Sequence, residues 1–206
     1  MTATVDRPVE GRSSSASLKA LLAPRSIAVI GASRAPRTMG HQVLANLLQQ
    51  GFTGTVYPVN PRARSVCAVH SYASIGDVPE PVDLAIIVVP KGEVLRVATE
   101  CAAAGVKALV VISAGFREQG GEGAERERQL VELVRRNDMR MVGPNCMGVI
   151  NASPDVGMNA TFAPIMPPFG DVACVSQSGA LGLSVLDYAR EYGIGISQFV
   201  SVGNKP

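Results

Sequence analysis

The sequence predicts an α/β protein: a Rossmann-like doubly wound parallel sheet, followed by an incomplete flavodoxin-like α/β unit. Three observations predict it. Short Val/Ile runs alternate with helical periodicities, a small-residue turn follows the first run, and a Pro-rich break at 162–171 precedes a second strand, turn and helix. Runs apolar on both faces belong to a parallel sheet covered by helices. Right-handed β-α-β crossovers then give the doubly wound arrangement.

The elements follow in chain order. Residues 1–17 are polar, Ser-rich and aperiodic, and read as a flexible tail. Strands are expected near 26–31 (SIAVIG), 55–60 (TVYPVN), 83–90 (DLAIIVVP), 107–114 (KALVVISA) and 139–144 (MRMVGP). Between the first two, MGHQVLANLLQQ places Val43, Leu44, Leu47 and Leu48 on one helical face, with Thr38 as cap and Gly51 as stop. A second helix runs from Lys91 to Ala104 with Val94, Leu95, Ala98, Cys101 and Ala102 inward. A third, Glu122 to Asn137, turns Leu130, Val131 and Val134 inward and its charged residues outward. The Pro-rich FAPIMPPFGD suits neither helix nor central strand. The domains are accordingly 18–152, a connector 153–170, and the truncated start of a second unit at 171–206.

Bulk properties narrow the function. The 206 residues are 47% hydrophobic, ample for a core, and the net charge of +2 with scattered Lys and Arg argues against a nucleic-acid or anionic-membrane surface. No apolar run approaches the roughly 18 residues of a membrane helix, and no secretory leader is visible, so a cytoplasmic protein is expected. Cys67, Cys101, Cys146 and Cys174 form no C-x-x-C pair, and His41 and His70 stand in no metal or acid–base pattern. The residues suggest reduced thiols, no metal and no catalytic group.

The turn Gly31-Ala32-Ser33-Arg34 carries the first ligand signal. Small residues let the backbone approach a phosphate, and the amides opening the next helix favour negative charge. The spacing is not G-x-G-x-x-G, because the next glycine in register is Gly40. The second strand ends in Asn60-Pro61-Arg62-Ala63-Arg64, where NAD enzymes place a ribose-binding acid. Two arginines there suit a ribose carrying a phosphate, a requirement NADP and coenzyme A both meet. Val89, Pro90, Ser113, Ala114, Gly115 and Phe116 leave the sheet at the same edge and are expected to line the crevice. The stretch Gly120–Gly123 reads equally as a flap or a plain loop.

Six ordered segments, VIGASR, YPVNP, DLAIIVVP, VVISAGFRE, GPNCMGVIN and VSQSGALG, resemble the coenzyme A-binding domain and following domain of NDP-forming (ADP-forming) acyl-CoA synthetases, relatives of the succinyl-CoA synthetase alpha subunit. The resemblance covers about residues 18–206. It implies that Gly31, Ala32, Ser33 and Arg34 hold the coenzyme A phosphates and that Asn60, Pro61, Arg62 and Arg64 face the adenosine 3′-phosphate. Val89-Pro90-Lys91 and Ser113-Ala114-Gly115 would follow the rest of the cofactor, with Asn145 toward the thiol. Ser176, Gln177, Ser178 and Gly179 resemble the helix-start turn that receives a phosphohistidine.

The implied parent reaction is acyl-CoA + phosphate + NDP = acid + CoA + NTP. Its phosphohistidine lies beyond this sequence, so this chain alone is expected to bind rather than catalyse. Nucleotide and magnesium would enter only through an ATP-grasp domain or subunit, and a homo- or hetero-oligomer would fit. Succinate-specific members carry Tyr where this chain has Leu183, which points away from succinate. Two further readings compete: a regulatory coenzyme A-binding module of a protein acetyltransferase, and an NAD(P)-binding Rossmann protein.

Overall fold

A computed structural model describes residues 15–206. Helix α1 (Ser15–Leu22) leads into β1 (Ser26–Ile30), α2 (Met39–Gln49) and β2 (Thr55–Val59). A small hairpin, β3 (Ser65–Val66) and β4 (Val69–His70), precedes β5 (Leu84–Ile87). Then come α3 (Val94–Ala103), β6 (Ala108–Val111), α4 (Glu122–Arg136) and β7 (Arg140–Val142). The chain continues through β8 (Gly148–Asn151), β9 (Met158–Thr161), β10 (Val172–Ser176), α5 (Gly179–Glu191) and β11 (Ile196–Ser201). The expected tail is shorter than its composition suggests, because α1 starts at Ser15 and buries Ser17; residues 1–14 lie outside the described residues.

The five expected strands form one parallel sheet in the order β2-β1-β5-β6-β7. Counting only its own strands, that is the 2-1-3-4-5 doubly wound order, whose direction reverses between β1 and β5. Alternation along β1 shows why its run is apolar throughout. Ile27 and Val29 pack with Leu44 and Leu47 of α2 on one face, while Ala28 and Ile30 meet Val97 of α3 and Leu130 of α4 on the other. Each fully buried aliphatic chain stabilises by about 1.5–3 kcal/mol.

A second sheet has the order β10-β11-β8-β9, with β10 and β11 parallel and the other pairs antiparallel. Residues 148–151 and 158–161, which composition places in the first domain and the connector, hydrogen-bond here instead. One face of this sheet presents Val149, Met158 and Ala160 to the α2 core; the other packs Ile150 and Phe199 against Leu186 of α5. Helix α2 is therefore enclosed between two sheets. That is why Asn46 is buried, donating to the carbonyls of Thr161 and Ala163 at 2.8 Å each. It is also why Leu48, expected inward, is exposed: the second sheet covers the Ala45–Asn46 flank and leaves Leu48 on the open side. At the far edge β10 has no further strand beside it among the described residues, and Val175 is 68% exposed.

Candidate functional site

The crevice at the switch point is made of backbone. Gly31 ends β1 with φ +93°, and a Cβ there would stand 2.1 Å from the Val88 carbonyl oxygen. A Cβ on Gly40, in the first turn of α2, would stand 2.0 Å from the oxygen of Gly31. Only glycine permits either approach. Thr38 caps α2, accepting from the His41 N–H, and other first-turn amides of α2 lack intrahelical acceptors. Asn60 ties the neighbouring loop to this turn: its Nδ2 donates to Ala32 O at 2.7 Å, while its Oδ1 accepts from the Arg62 N–H at 2.8 Å.

A cavity of about 530 Å³ opens here, lined by Gly31, Asn60, Pro61, Arg62, Val89 and Pro90 of the expected set. It adds Glu93, just before α3, and Arg96 and Glu100 from α3, with Arg96 paired to both carboxylates. Ala32 is buried behind it, and the exposed Arg34 and Arg64 do not line it. A larger hollow of about 670 Å³ between Ser74–Val82 and the end of α3 reaches toward the amino end of β5, away from the edge where open sheets bind ligands.

The remaining expected residues form an adjoining group. The Ser113 hydroxyl donates to Val89 O at 2.6 Å and accepts from the Val89 N–H at 3.1 Å. Asn145, at φ +57°, donates its backbone N–H to Ser113 O at 3.0 Å. Lys91 lies across Gly115 and reaches Gln119 Oε1 at 2.8 Å; Ala114 is exposed beside them. Sequence reasoning missed the groups that hold this loop. Glu118 accepts from the Gly115 and Phe116 N–H groups. Burial pushes its carboxyl up, but the Asn204 amide and those backbone donors outweigh that and hold it below the usual range. Glu127, expected outward on α4, is fully buried, because Arg117 pairs with it at 3.0 Å.

The second turn is equally ordered. Ser178 caps α5 by accepting from the Leu181 N–H at 3.2 Å, and the Ser176 hydroxyl donates to Ser178 O at 2.9 Å. Gln177 is exposed, and a Cβ on Gly179 would lie 3.7 Å from Met147 Cβ, two residues beyond Asn145. Among the described residues no cluster of His, Cys, Asp or Glu could hold a metal ion, and no helix is long and apolar enough to cross a membrane.

Fold and crevice together define a doubly wound domain for a ligand that carries phosphate beside a nucleoside. The backbone cradle at Gly31 and Gly40 suits a diphosphate, and Arg62, without an acid at the end of β2, suits a phosphorylated ribose. The chain belongs to the CoA binding domain family, which residues 25–152 match, and coenzyme A is the ligand of that family. Residues 169–206 match the succinyl-CoA ligase like flavodoxin domain. It is 46% identical over 188 residues to acetate–CoA ligase [ADP-forming] I of Archaeoglobus fulgidus, covering 91% of this chain and 27% of that protein. It is 48% identical over 182 residues to the alpha subunit of acetate–CoA ligase [ADP-forming] II of Pyrococcus furiosus, covering 88% and 39%. A solved structure of dinucleotide forming acetyl-coenzyme A synthetase 1 from Ca. Korarchaeum cryptofilum, with phosphate and ADP, matches at TM-score 0.87 and 46% identity, over 92% of this chain and 40% of that one. The chain thus spans about a quarter to two-fifths of these relatives.

Proposed function

We propose that the chain is the coenzyme A-binding part of an NDP-forming acyl-CoA synthetase, an acid–thiol ligase whose reaction is acyl-CoA + phosphate + NDP = acid + CoA + NTP. The observation that carries this is a continuous run of contacts between two phosphate-type turns: Gly31, after β1, lies against Val88 and Val89, Val89 pairs with Ser113, Ser113 O accepts from Asn145, and Gly179, opening α5, lies beside Met147. In this reading Gly31 through Arg34 cradle the diphosphate, with Arg62 on the 3′-phosphate and Arg64 farther out. Val89, Pro90 and Lys91 follow the pantetheine arm. Ser113, Ala114, Gly115 and Asn145 flank the thiol. Ser176 to Gly179 offer first-turn amides to a phosphoryl group, a preorganised charge site of the kind that phosphoryl transfer uses.

The histidine and the nucleotide would come from a further segment and an ATP-grasp domain or subunit, in a cytoplasmic assembly. Two of the relatives named above are ADP-forming acetate–CoA ligases, which favours ADP and a small acid. Calorimetry with coenzyme A and with its dephospho form tests the reading. Saturable binding of coenzyme A, at least tenfold tighter than the dephospho form, is expected; no binding of either would sink it.

A further inference from the structure

The loop after β11 carries a side chain whose hydrogen bonds all leave its own sheet. Asn204 Nδ2 donates to Glu118 Oε2 at 2.6 Å and to Glu127 Oε2 at 2.7 Å. Its Oδ1 accepts from Asn145 Nδ2 at 3.2 Å. Both amide protons thus sit on carboxylates and the amide oxygen on a donor, so the reversed amide would set oxygen against two negative charges. The backbone docks with it. Asn204 N–H donates to Pro144 O at 3.0 Å, and a Cβ on Gly203 would lie 2.2 Å from that same oxygen. Glu118 in turn holds the Gly115 and Phe116 amides, and Asn145 rests on Ser113.

We propose that Asn204 is a positioning residue. It ties the loop at 113–118, which follows β6 of the first sheet, and the Asn145 side chain, in the connector from β7 to β8, to the end of β11 in the second sheet, so that the thiol end of the coenzyme A crevice takes its shape only when the three segments are docked. The inference rests on the assignment of that crevice to coenzyme A. Its chemistry is specific: the position needs two donors and one acceptor on one planar group. Alanine supplies none of them, and aspartate supplies acceptors where donors are required. The charged groups around it are Glu118, Glu127, Arg117 on Glu127, Arg126 on the Gly115 carbonyl, Lys91 over Gly115, and Lys205 next in the chain.

The test uses the whole chain with Asn204→Ala and Asn204→Asp, coenzyme A affinity being compared with the unaltered chain at pH 8 and pH 5.5. Asn204→Ala is expected to bind about tenfold more weakly at both, since residues sharing one hydrogen-bond network couple by amounts of that order. Asn204→Asp should bind more weakly still at pH 8, where three carboxylates meet, and recover in part at pH 5.5, where a protonated Asp restores one of the two donors and removes its own negative charge. Equal affinity of all three chains, or a loss in the Asp variant that does not change with pH, would overturn the proposal. Hydrogen exchange reads the same coupling without ligand. Faster exchange at Gly115 and Phe116 in Asn204→Ala is expected, and unchanged exchange there would also overturn it. Failure of the unaltered chain to bind coenzyme A would instead remove the functional reading, leaving exchange to decide the role of Asn204.

Discussion

Asn60 holds the carbonyl oxygen of Ala32 at 2.7 Å, so the loop that follows β2 and the turn that follows β1 form one rim. The bond fixes where Arg62 stands relative to the phosphate turn, because the other end of the same amide accepts from the Arg62 N–H. Asn60→Ala is expected to lower coenzyme A affinity about tenfold, a neutral hydrogen bond and its partner's desolvation being worth about 1–2 kcal/mol. Titration calorimetry decides it; an unchanged dissociation constant would mean the rim holds without this link.

The two arginines of that loop should separate. Arg62 lines the cavity and Arg64 does not. Arg62→Ala should cut the preference for coenzyme A over dephospho-coenzyme A by about 10–100-fold, the range of a charge-assisted contact of about 1.5–3 kcal/mol. Arg64→Ala should change it by less than about twofold. The reverse ranking would place the 3′-phosphate elsewhere.

Gly40 sets propensity against sterics. Alanine favours a helix over glycine by about 1 kcal/mol, yet its methyl would stand 2.0 Å from the Gly31 oxygen. The clash is expected to win, with a net loss of about 1–3 kcal/mol in urea unfolding and weaker coenzyme A binding. Gly92→Ala, where nothing lies within 4 Å, should leave stability nearly unchanged. A Gly40→Ala chain as stable as the parent would show that α2 can shift freely.

Alkaline pH should act through two thiols. Burial, with Glu100 adding to it, pushes Cys101 up to about 12, and burial pushes Cys146 up to about 12 as well. Unfolding lets both ionise near pH 9, so the native state holds more protons between roughly pH 9 and 12 and stability falls as pH rises there. The slope is up to about 1.4 kcal/mol per pH unit for each thiol, and stability below pH 8 is untouched by them. Cys101→Ala with Cys146→Ala should flatten the alkaline limb of a pH–stability curve; an unchanged limb would trace it to other groups.

Much of the first sheet was legible because its strands are buried on both faces, which leaves apolar runs such as Ile27–Ile30 and Leu84–Ile87 with no polar interruption. The strands β8 and β9 were not. Asn159 is fully buried in β9 and reads as loop chemistry, yet its amide is satisfied by Gln50 at the end of α2 and by the Ala163 and Ile165 carbonyls just downstream. The same limit applied at the site. Gly31 and Asn60 announced themselves through local turn chemistry. Nothing local separated Arg62 from Arg64, and the bond between Glu118 and Asn204 spans 86 residues.

Strand β10 bears on how the isolated polypeptide will behave at the bench. An unguarded β-ribbon with valines facing water invites a neighbouring molecule to zip onto it. Light scattering should therefore climb with concentration, and a lysine in place of Val175 should quiet it. Isotherms for the cofactor are best gathered from dilute samples, where such association adds no heat of its own.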